Sequence, residues 1–330
     1  MYLCMKKNIL ILGSEGFLGS VLVPYLNKSN LKITGVDKCF FGKYNNNLKN
    51  VKIIKSDYAK LNKKFFKKFD FIVDLVNISN DPASELNKKF TKKINYENKI
   101  KLYQKIKNLK NIERYIYMSS CSVYGNNKDI INEKSPPRPI SLYSKLCLKY
   151  EEYLKKNKKI DFTILRLGTL YGWSPRMRYD IAINKIIRDM IFNNKVEILG
   201  GEQLRFFCYN KFACNVIDNI INNSKKNTLN KTFNIGNFNT NIIDLTKKIL
   251  KITKFKKASI YHEKHNIDKR SYKVSTKSAK KFVTKNNLLS SLTKKSILDT
   301  FKKISRDKKP FLKNKITLTI YKEFLQNYKV

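Results

Sequence analysis

The chain has 330 residues, of which 42% are hydrophobic, and this composition can supply a sizeable folded core. Intrinsic disorder is therefore not the expectation. No apolar run approaches the roughly twenty residues that a membrane-spanning helix needs. We predict no signal peptide, no membrane anchor and a cytoplasmic location.

The formal net charge is +44, from 69 basic and 25 acidic residues. Such a charge would ordinarily indicate nucleic-acid binding, because clustered lysines and arginines release counterions from phosphates. Here the lysines are spread over every segment, which favours a general compositional bias over a dedicated polyanion site. Nucleic acid is therefore not the expected partner, although the positive field attracts anions such as nucleotide diphosphates.

The cysteines and histidines indicate neither a metal site nor a disulfide framework. The six cysteines include no CxxC pair, and the histidines are His262 and His265. We predict no bound metal and free, buried thiols in a reducing compartment.

Strand-like apolar runs alternate with amphipathic helical stretches in the first half of the chain, which predicts parallel βαβ units. The predicted strands are residues 8–12, 32–37, 51–55, 71–75, 112–118 and 162–165. This spacing predicts an α/β fold with a doubly wound, Rossmann-type parallel sheet. The second half is less regular: we predict a helix at 179–193, a strand at 195–199 and a helix at 241–253.

A glycine-rich segment, Gly13-Ser14-Glu15-Gly16-Phe17-Leu18-Gly19, directly follows the first strand and opens a helix. Glycines there permit a tight turn and a close approach of backbone N–H groups to a pyrophosphate, and the helix N-terminus adds positive charge. Asp37 ends the next strand, where its carboxylate can accept hydrogen bonds from the adenosine ribose and would repel a 2'-phosphate. We therefore predict NAD as cofactor, with contacts from Gly13, Gly16, Phe17, Leu18, Gly19 and Asp37.

These patterns divide the chain into three parts. Residues 1–172 are assigned to an NAD-binding Rossmann domain, with interleaved segments from the second half. Residues 173–304 are assigned to a smaller α+β region that binds substrate. Residues 305–330 are assigned to a C-terminal tail, and the lysine-rich stretch 302–315 has the composition of a loose tail.

Several motifs in this order resemble the NAD-dependent epimerase/dehydratase family, the extended short-chain dehydrogenases that modify nucleotide sugars. The matching segments are the GxxGxxG spacing at 13–19, SSCSVYG at 119–125, RLGTLYG at 166–172, FNIG at 233–236 and DKRSY at 268–272. The resemblance covers about residues 7 to 300. It implies two further cofactor contacts, Asp57 at the adenine edge and Asn95 within a helix.

The resemblance also implies a catalytic pair. In the family a Ser or Thr hydroxyl and a Tyr phenol hold a sugar hydroxyl or carbonyl, while the nicotinamide exchanges hydride with the same carbon. These roles fall to Ser120 and Tyr143. The family places a lysine four residues after the tyrosine, one helical turn away, to stabilise the phenolate. Here that position holds Cys147. If the alignment is shifted so that Lys145 takes the lysine position, Ser141 stands where the tyrosine belongs.

Three hypotheses follow from this substitution. Lys145 or Lys149 compensates for the missing charge, helped by the oxidised nicotinamide. Alternatively, the site binds nucleotide without turning it over. As a third alternative, the chemistry moves to another residue such as Cys121, which also fits as a small residue filling the end of a strand.

Substrate contacts are expected mainly from arginines, whose planar guanidinium can bind a diphosphate through two hydrogen bonds. Arg205, after a Gly-Gly turn, and Arg270 are the main candidates, and Arg176 is a further one. Tyr171 is a candidate for the sugar or base pocket.

We thus predict an NAD-dependent nucleotide-sugar epimerase or oxidoreductase for glycan assembly, which by resemblance forms a homodimer. The 4,6-dehydratases of the family carry two carboxylates after the catalytic Ser or Thr, and Cys121 and Ser122 stand there instead. The alternative is a catalytically impaired relative that binds a dinucleotide or RNA.

Overall fold

The computed structural model describes residues 6–28, 31–223, 225–263, 271–282 and 289–326. The strands are β1 (Lys7–Leu12), β2 (Leu31–Asp37), β3 (Val51–Lys55), β4 (Phe71–Asp74), β5 (Arg114–Ser120), β6 (Ile130–Ile131), β7 (Phe162–Leu167), β8 (Thr169–Tyr171), β9 (Lys195–Leu199), β10 (Arg205–Tyr209), β11 (Lys231–Ile235), β12 (Phe238–Thr240), β13 (Ser259–Glu263) and β14 (Lys273–Val274).

The α-helices are α1 (Gly19–Leu26), α2 (Lys63–Phe66), α3 (Asp81–Glu85), α4 (Lys88–Lys92), α5 (Asn98–Ile106), α6 (Leu142–Asn157), α7 (Ala182–Phe192), α8 (Asn210–Asn223), α9 (Lys225–Thr228), α10 (Ile242–Thr253), α11 (Lys277–Lys280), α12 (Leu289–Ile304) and α13 (Thr317–Gln326). Short 3-10 helices occupy Tyr58–Lys60, Cys121–Tyr124 and Lys313–Lys315, and Lys93–Glu97 is a π-helical turn.

The central sheet has seven strands in the order β11-β7-β5-β4-β1-β2-β3, and every neighbouring pair is parallel. The predicted doubly wound α/β fold is confirmed. The chain runs outward in one direction from β1 to β3 and in the other from β4 to β11. The strand order therefore reverses between β1 and β4, and a ligand crevice forms at the carboxyl ends of these strands.

Both faces of this sheet are buried, which is why its strands read as nearly continuous apolar runs. Ile9 and Ile11 of β1 point into one core cluster, and Leu10 and Leu12 point into the other. This alternation follows from the opposite directions of successive side chains in a strand. The two clusters hold helices against both faces and fix the position of the crevice.

The predicted strands lie within about two residues of their observed bounds, but β11 was not predicted. This strand pairs with β7 in parallel and adds a segment of the second half of the chain to the central sheet. The smaller region contains a three-stranded sheet, β12-β10-β8, and two two-stranded sheets, β13-β9 and β14-β6. Its predicted helices are present, and α10 is capped by Asn241, whose side chain accepts from the backbone N–H of Asp244.

Within the predicted C-terminal tail, residues 317–326 form the helix α13. Its apolar side chains Leu318, Tyr321, Phe324 and Leu325 pack in one cluster with Phe40 and Phe41 from the loop after β2. The stretch before α13 is rich in lysine, and this composition gives no indication that a helix with an apolar face follows. Within the described ranges no helix is long and apolar enough to cross a membrane.

Candidate active site

A cavity of about 500 Å³ opens at the carboxyl ends of β1 and β4. We call it the main cleft. The predicted site residues that line it are Gly13, Gly16, Phe17, Leu18, Gly19, Ser120, Tyr143, Arg176 and Arg205. A smaller adjoining cavity of about 110 Å³, the side pocket, is lined by Asp37 and Asp57. The fold thus brings most of the predicted residues to one edge of the sheet.

Two glycines of the glycine-rich loop are required, one by its backbone conformation and one by lack of space. Gly13 has φ +81°, a conformation that favours glycine, and a Cβ at position 19 would lie 2.1 Å from the Gly13 carbonyl oxygen. Helix α1 begins at Gly19, which lines the main cleft, so the positive end of the helix dipole lies beside the cleft. This arrangement suits the pyrophosphate of a dinucleotide.

Asp37 is held beside that loop. Its carboxylate oxygens accept hydrogen bonds from the backbone N–H of Glu15 at 2.9 Å and of Cys39 at 2.6 Å. Asp57, also in the side pocket, accepts from the backbone N–H of Ala59 at 2.9 Å and pairs with Lys38 at 3.1 Å. Two carboxylates at this position suit the hydroxyls of an adenosine ribose and disfavour a 2'-phosphate, so the residues present fit NAD.

Asn95 does not line either cavity, and its contact with the cofactor stays a prediction. Its side chain is fully buried and exchanges two hydrogen bonds with the backbone of Ile78. The Ile78 N–H donates at 2.8 Å, and the Asn95 amide donates to the Ile78 carbonyl at 3.1 Å. Asn95 sits in the π-helical turn Lys93–Glu97, a feature frequent at functional sites. It shapes the loop after β4, which lines the cleft.

Ser120 and Tyr143 reach the main cleft from different elements. Ser120 ends β5, and its Oγ accepts from the backbone N–H of Ser122 at 3.1 Å. Tyr143 lies in the first turn of α6, which is capped by Ser141. Burial and the neighbouring Cys147 raise the pKa of Tyr143 well above its usual value, and a hydrogen bond with Ser120 partly opposes this. The phenol is protonated at neutral pH.

The two cysteines of the predicted site are buried beside the cleft and do not line it. Cys147 is fully buried, and burial raises the pKa of its thiol to about 12. The Cys121 thiol donates to the Arg166 carbonyl at 3.2 Å, and burial raises its pKa well above the usual value. Cys121, a candidate acid/base from sequence, is thus placed as a neutral core residue.

Lys145 and Lys149, the candidates for replacing the missing lysine, are both exposed. The Lys149 ammonium lies 4.7 Å from the centroid of the Tyr96 ring, on the outer side of α6. Lys99 of α5 is instead fully buried, with its Nζ 2.7 Å from Asp74 Oδ2. The motifs did not predict Lys99. The sequence nevertheless carries a signal for it, because it occupies the apolar face of α5 together with Leu102, Tyr103 and Ile106.

A buried ion pair fixes α6 against the sheet. Arg166 of β7 donates to both carboxylate oxygens of Glu151, with distances of 2.6 to 3.1 Å. Ser119 of β5 donates to the same carboxylate at 2.5 Å. Glu151 therefore ties the helix that carries Tyr143 to the strand that carries Ser120.

The predicted substrate residues occupy different positions. Arg205 begins β10, is 8% exposed and lines the main cleft. Arg176 stacks on Phe41 at 3.8 Å from the ring centroid and donates to Thr317 at 3.0 Å. Burial, with neighbouring Arg178, lowers the pKa of Arg176 to about 10.

Tyr171 is fully buried, and its hydroxyl lies 2.6 Å from that of Ser296. Tyr171 does not line the main cleft, and its role in a sugar or base pocket stays a prediction. Arg270 lies outside the described residues. No group of three or more potential metal ligands occurs among the residues that the structure describes.

The cleft residues that were not predicted include Asp180, Thr317 and Tyr321. Asp180 forms an ion pair with Arg178 at 2.6 Å, Thr317 begins α13, and Tyr321 of the same helix lines both the main cleft and the side pocket. Asp180 stands close in sequence to the predicted Arg176. Thr317 and Tyr321 reach the cleft only through the folding of the chain end.

The fold and the cleft define a class: an α/β protein that binds a dinucleotide at a glycine-rich loop and presents a serine and a tyrosine beside it. The family model described as NAD dependent epimerase/dehydratase family matches residues 9–236. The chain therefore belongs to that family, as the sequence motifs predict, and NAD is the cofactor of the family.

Sequence relatives include a dTDP-D-glucose 4,6-dehydratase from Dictyostelium discoideum, 29% identical over 276 residues that cover 75% of this chain and 62% of the relative. The uncharacterized UDP-glucose epimerase YtcB of Bacillus subtilis is 31% identical over 133 residues, 38% of this chain and 40% of that protein. The chain therefore aligns with less than two thirds of the length of either relative.

A solved structure with a similar fold is UDP-N-acetylglucosamine 4-epimerase from Methanobrevibacter ruminantium M1 in complex with UDP-N-acetylmuramic acid. It is 26% identical, with a TM-score of 0.78 over 90% of this chain and 98% of that chain. UDP-glucuronic acid 4-epimerase from Bacillus cereus, solved with UDP-glucuronic acid and NAD, shares the fold at 24% identity, with a TM-score of 0.75 over 90% of this chain and 99% of that chain.

Proposed function

We propose that the chain is an NAD-dependent nucleotide-sugar epimerase or oxidoreductase in which Ser120 and Tyr143 assist hydride transfer at a sugar carbon. The observation that carries this proposal is the convergence of Ser120 and Tyr143 on the cleft that also contains the glycine-rich loop. A sugar placed there lies beside the nicotinamide end of a dinucleotide whose pyrophosphate occupies the loop.

In this mechanism Ser120 and Tyr143 hold the reacting hydroxyl of the sugar. Bound NAD supplies the hydride acceptor for the oxidation and the hydride donor for the return step. The phenolate form of Tyr143 accepts the hydroxyl proton during oxidation, and the resulting phenol gives it back on reduction. Ser120 stabilises the phenolate form of Tyr143 by a hydrogen bond, which opposes the effect of burial on the tyrosine pKa.

The cationic side chains of the cleft fit a nucleoside diphosphate. Arg205 and Arg176 both line it, and a guanidinium can bind phosphate oxygens through two parallel hydrogen bonds. Cys121 and Ser122 follow Ser120 where dehydratases of the family carry carboxylates. Water elimination from the sugar therefore lacks its usual acid and base, which favours epimerisation or simple oxidation.

Hydride transfer is tested directly by stopped-flow absorbance at 340 nm. Protein preloaded with NAD is mixed with UDP-, dTDP-, GDP- and CDP-sugars, beside Tyr143→Phe and the matched control Tyr153→Phe on the same helix. We expect a transient NADH signal that Tyr143→Phe abolishes and Tyr153→Phe leaves intact. Bound NAD without any NADH signal in the unaltered chain would overturn the enzyme proposal.

Cys147 favours a second candidate function, a catalytically impaired relative that binds a dinucleotide or RNA. A neutral thiol at this position removes the cation that the tyrosine needs. Binding measured against salt concentration separates the candidates, since a polyanion surface loses affinity steeply with salt and shows no preference for a nucleotide sugar.

The same preparation tests the proposed homodimer by light scattering, and fractionation of cells tests the proposed cytoplasmic location.

A further inference from the structure

The two cavities of the site meet at a junction that the C-terminal helix helps to form. Asp37 lies in the side pocket, and Ser120 lies in the main cleft. Gly16 of the glycine-rich loop, Phe41 of the loop after β2 and Tyr321 of α13 line both cavities. A dinucleotide that spans the ribose-binding and nicotinamide ends of the site therefore has to pass through this junction, beside Phe41 and Tyr321.

Helix α13 bridges two segments that lie on either side of the glycine-rich loop. The Phe324 ring centroid lies 4.3 Å from that of Phe40, in the loop after β2, and 5.5 Å from that of Phe90, in α4. Leu318 and Leu325 pack in the same cluster. Strands β2 and β4 are the two neighbours of β1, which leads into the glycine-rich loop. Because α4 follows β4 in the chain, α13 connects the segments that flank this loop.

Polar contacts fix the start of α13. Arg176 donates to Thr317 Oγ1 at 3.0 Å, and its guanidinium lies 3.8 Å from the centroid of the Phe41 ring. Just before the helix, the backbone N–H of Tyr179 donates to the Lys315 carbonyl at 2.9 Å. These contacts attach the N-terminal end of α13 to the loop after β8, and through Arg176 to the loop after β2.

The body of α13 is held by a small number of apolar contacts. Tyr321 is buried, but Leu318, Phe324 and Leu325 are only half-buried, and Lys322 is exposed on the outer face of the helix. A helix of ten residues is not stable by itself in water, so its formation depends on these contacts. Terminal elements with few buried apolar contacts open locally, at a lower cost than global unfolding. The helix that stands between the junction and solvent is therefore one that can open.

We propose that α13 is a strap over the middle of the cofactor site, which opens to admit the dinucleotide and closes over it. The end at Thr317 stays attached, and the apolar body of the helix moves. NAD enters and leaves through the open form, so the apolar contacts of α13 control both its association and its dissociation. This inference depends on NAD binding in the cleft and is independent of the reaction proposed for Ser120 and Tyr143.

Phe324→Ala tests the proposal, because Phe324 holds α13 against Phe40 and Phe90 but does not line either cavity. The variant weakens the closed form in free and nucleotide-bound protein alike, without removing a wall of the site. Stopped-flow fluorescence measures NADH association with nucleotide-free protein, and its dissociation when excess NAD is added to the complex. We expect both rate constants to rise about tenfold, and the Kd, which is their ratio, to change less than about threefold.

A helix that serves only as a fixed wall gives a different result. If α13 stays closed while NADH enters and leaves, weakening its contacts does not change the association rate. Faster dissociation with unchanged association, or no change in either rate, therefore overturns the proposal. Gln326→Ala is the matched control, because that side chain is exposed on the same helix, and it is expected to leave both rates unchanged.

Hydrogen exchange measures the opening of α13 independently of nucleotide. The backbone amides of 317–326 are expected to exchange about tenfold faster in Phe324→Ala, with those of α12 unchanged, and equal exchange in α13 overturns the proposal. If α12 is also destabilised, Leu325→Ala, a smaller change in the same cluster, replaces Phe324→Ala with the same expected results. These experiments contain no sugar nucleotide, so a missing NADH signal in the sugar experiment overturns the proposed function and leaves the strap in place.

Discussion

The ring of Tyr321, near the end of the chain, lies 5.4 Å from the ring of Phe41, in the loop that follows Asp37. Phe324, one turn further along α13, lies 4.3 Å from Phe40. The last helix thus packs on the loop that follows the Asp37 carboxylate, the proposed ribose contact. It contributes Tyr321 to the walls of both the main cleft and the side pocket.

Tyr321→Ala is expected to weaken NAD binding about fivefold to tenfold. The substitution removes an aromatic wall from both cavities and a ring contact that is worth about 1 kcal/mol. Isothermal titration with NAD measures the effect. Tyr261→Ala is the control, because that ring is 56% exposed on β13, and it is expected to leave the affinity unchanged. Equal affinities of the two variants would contradict a role for α13 in cofactor binding.

Asp37→Asn is expected to narrow the preference for NAD over NADP. The amide keeps the shape of the side chain but loses the charge that repels a 2'-phosphate, and it accepts hydrogen bonds from the ribose hydroxyls less strongly. We expect NAD affinity to fall about tenfold, with NADP affinity unchanged or higher. Titration with both cofactors measures this, and Asp129→Asn at an exposed site is the control. A parallel loss of both affinities would indicate damage to the loop.

The sequence predicts the parts of the site that local pattern determines. Gly13, Gly19 and Asp37 follow from the order of strand, turn and helix, because a tight turn and a ribose contact impose residue types at fixed places. Ser120 and Tyr143 follow from the family resemblance. These residues all reach the cleft or the side pocket.

The remaining features depend on contacts between segments far apart in the chain. The position of Lys99 on the apolar face of α5 indicates its burial, but its pairing with Asp74 depends on how α5 packs on the sheet. Asn95 matches the family position but uses its amide for Ile78. Cys121 stands next to Ser120 in sequence, yet successive residues point in different directions at the end of a strand. Tyr321 reaches the cleft only because α13 folds back over the loop after β2.

Glu151→Gln is expected to destabilise the fold by about 3 kcal/mol or more, because it leaves Arg166 buried without its carboxylate. Chemical denaturation measures the free energy of unfolding. Glu152→Gln is the matched control, since that side chain is exposed on the same helix. Its effect is expected to be within about 0.5 kcal/mol of zero. A similar stability for both variants would mean that the buried pair contributes little.

The ion pair of Asp180 makes the stability of the fold depend on pH in the acid range. Burial alone would raise the pKa of this carboxyl, but the paired Arg178 outweighs burial and lowers it to about 2. The pKa of Asp180 is lower in the folded state than in the unfolded state. The ionised carboxylate therefore contributes fully to the free energy of unfolding above about pH 4, and this contribution is lost as the pH falls toward 2.

The depressed pKa corresponds to about 2 kcal/mol of stability at neutral pH. Asp180→Asn removes this contribution, so we expect the variant to be less stable at pH 7 and its stability to decline less between pH 4 and 2. Unfolding free energies measured at several pH values test this, with Asp129→Asn as an exposed control. If the unaltered chain and Asp180→Asn decline in parallel below pH 4, the pairing with Arg178 does not lower the pKa of this carboxyl.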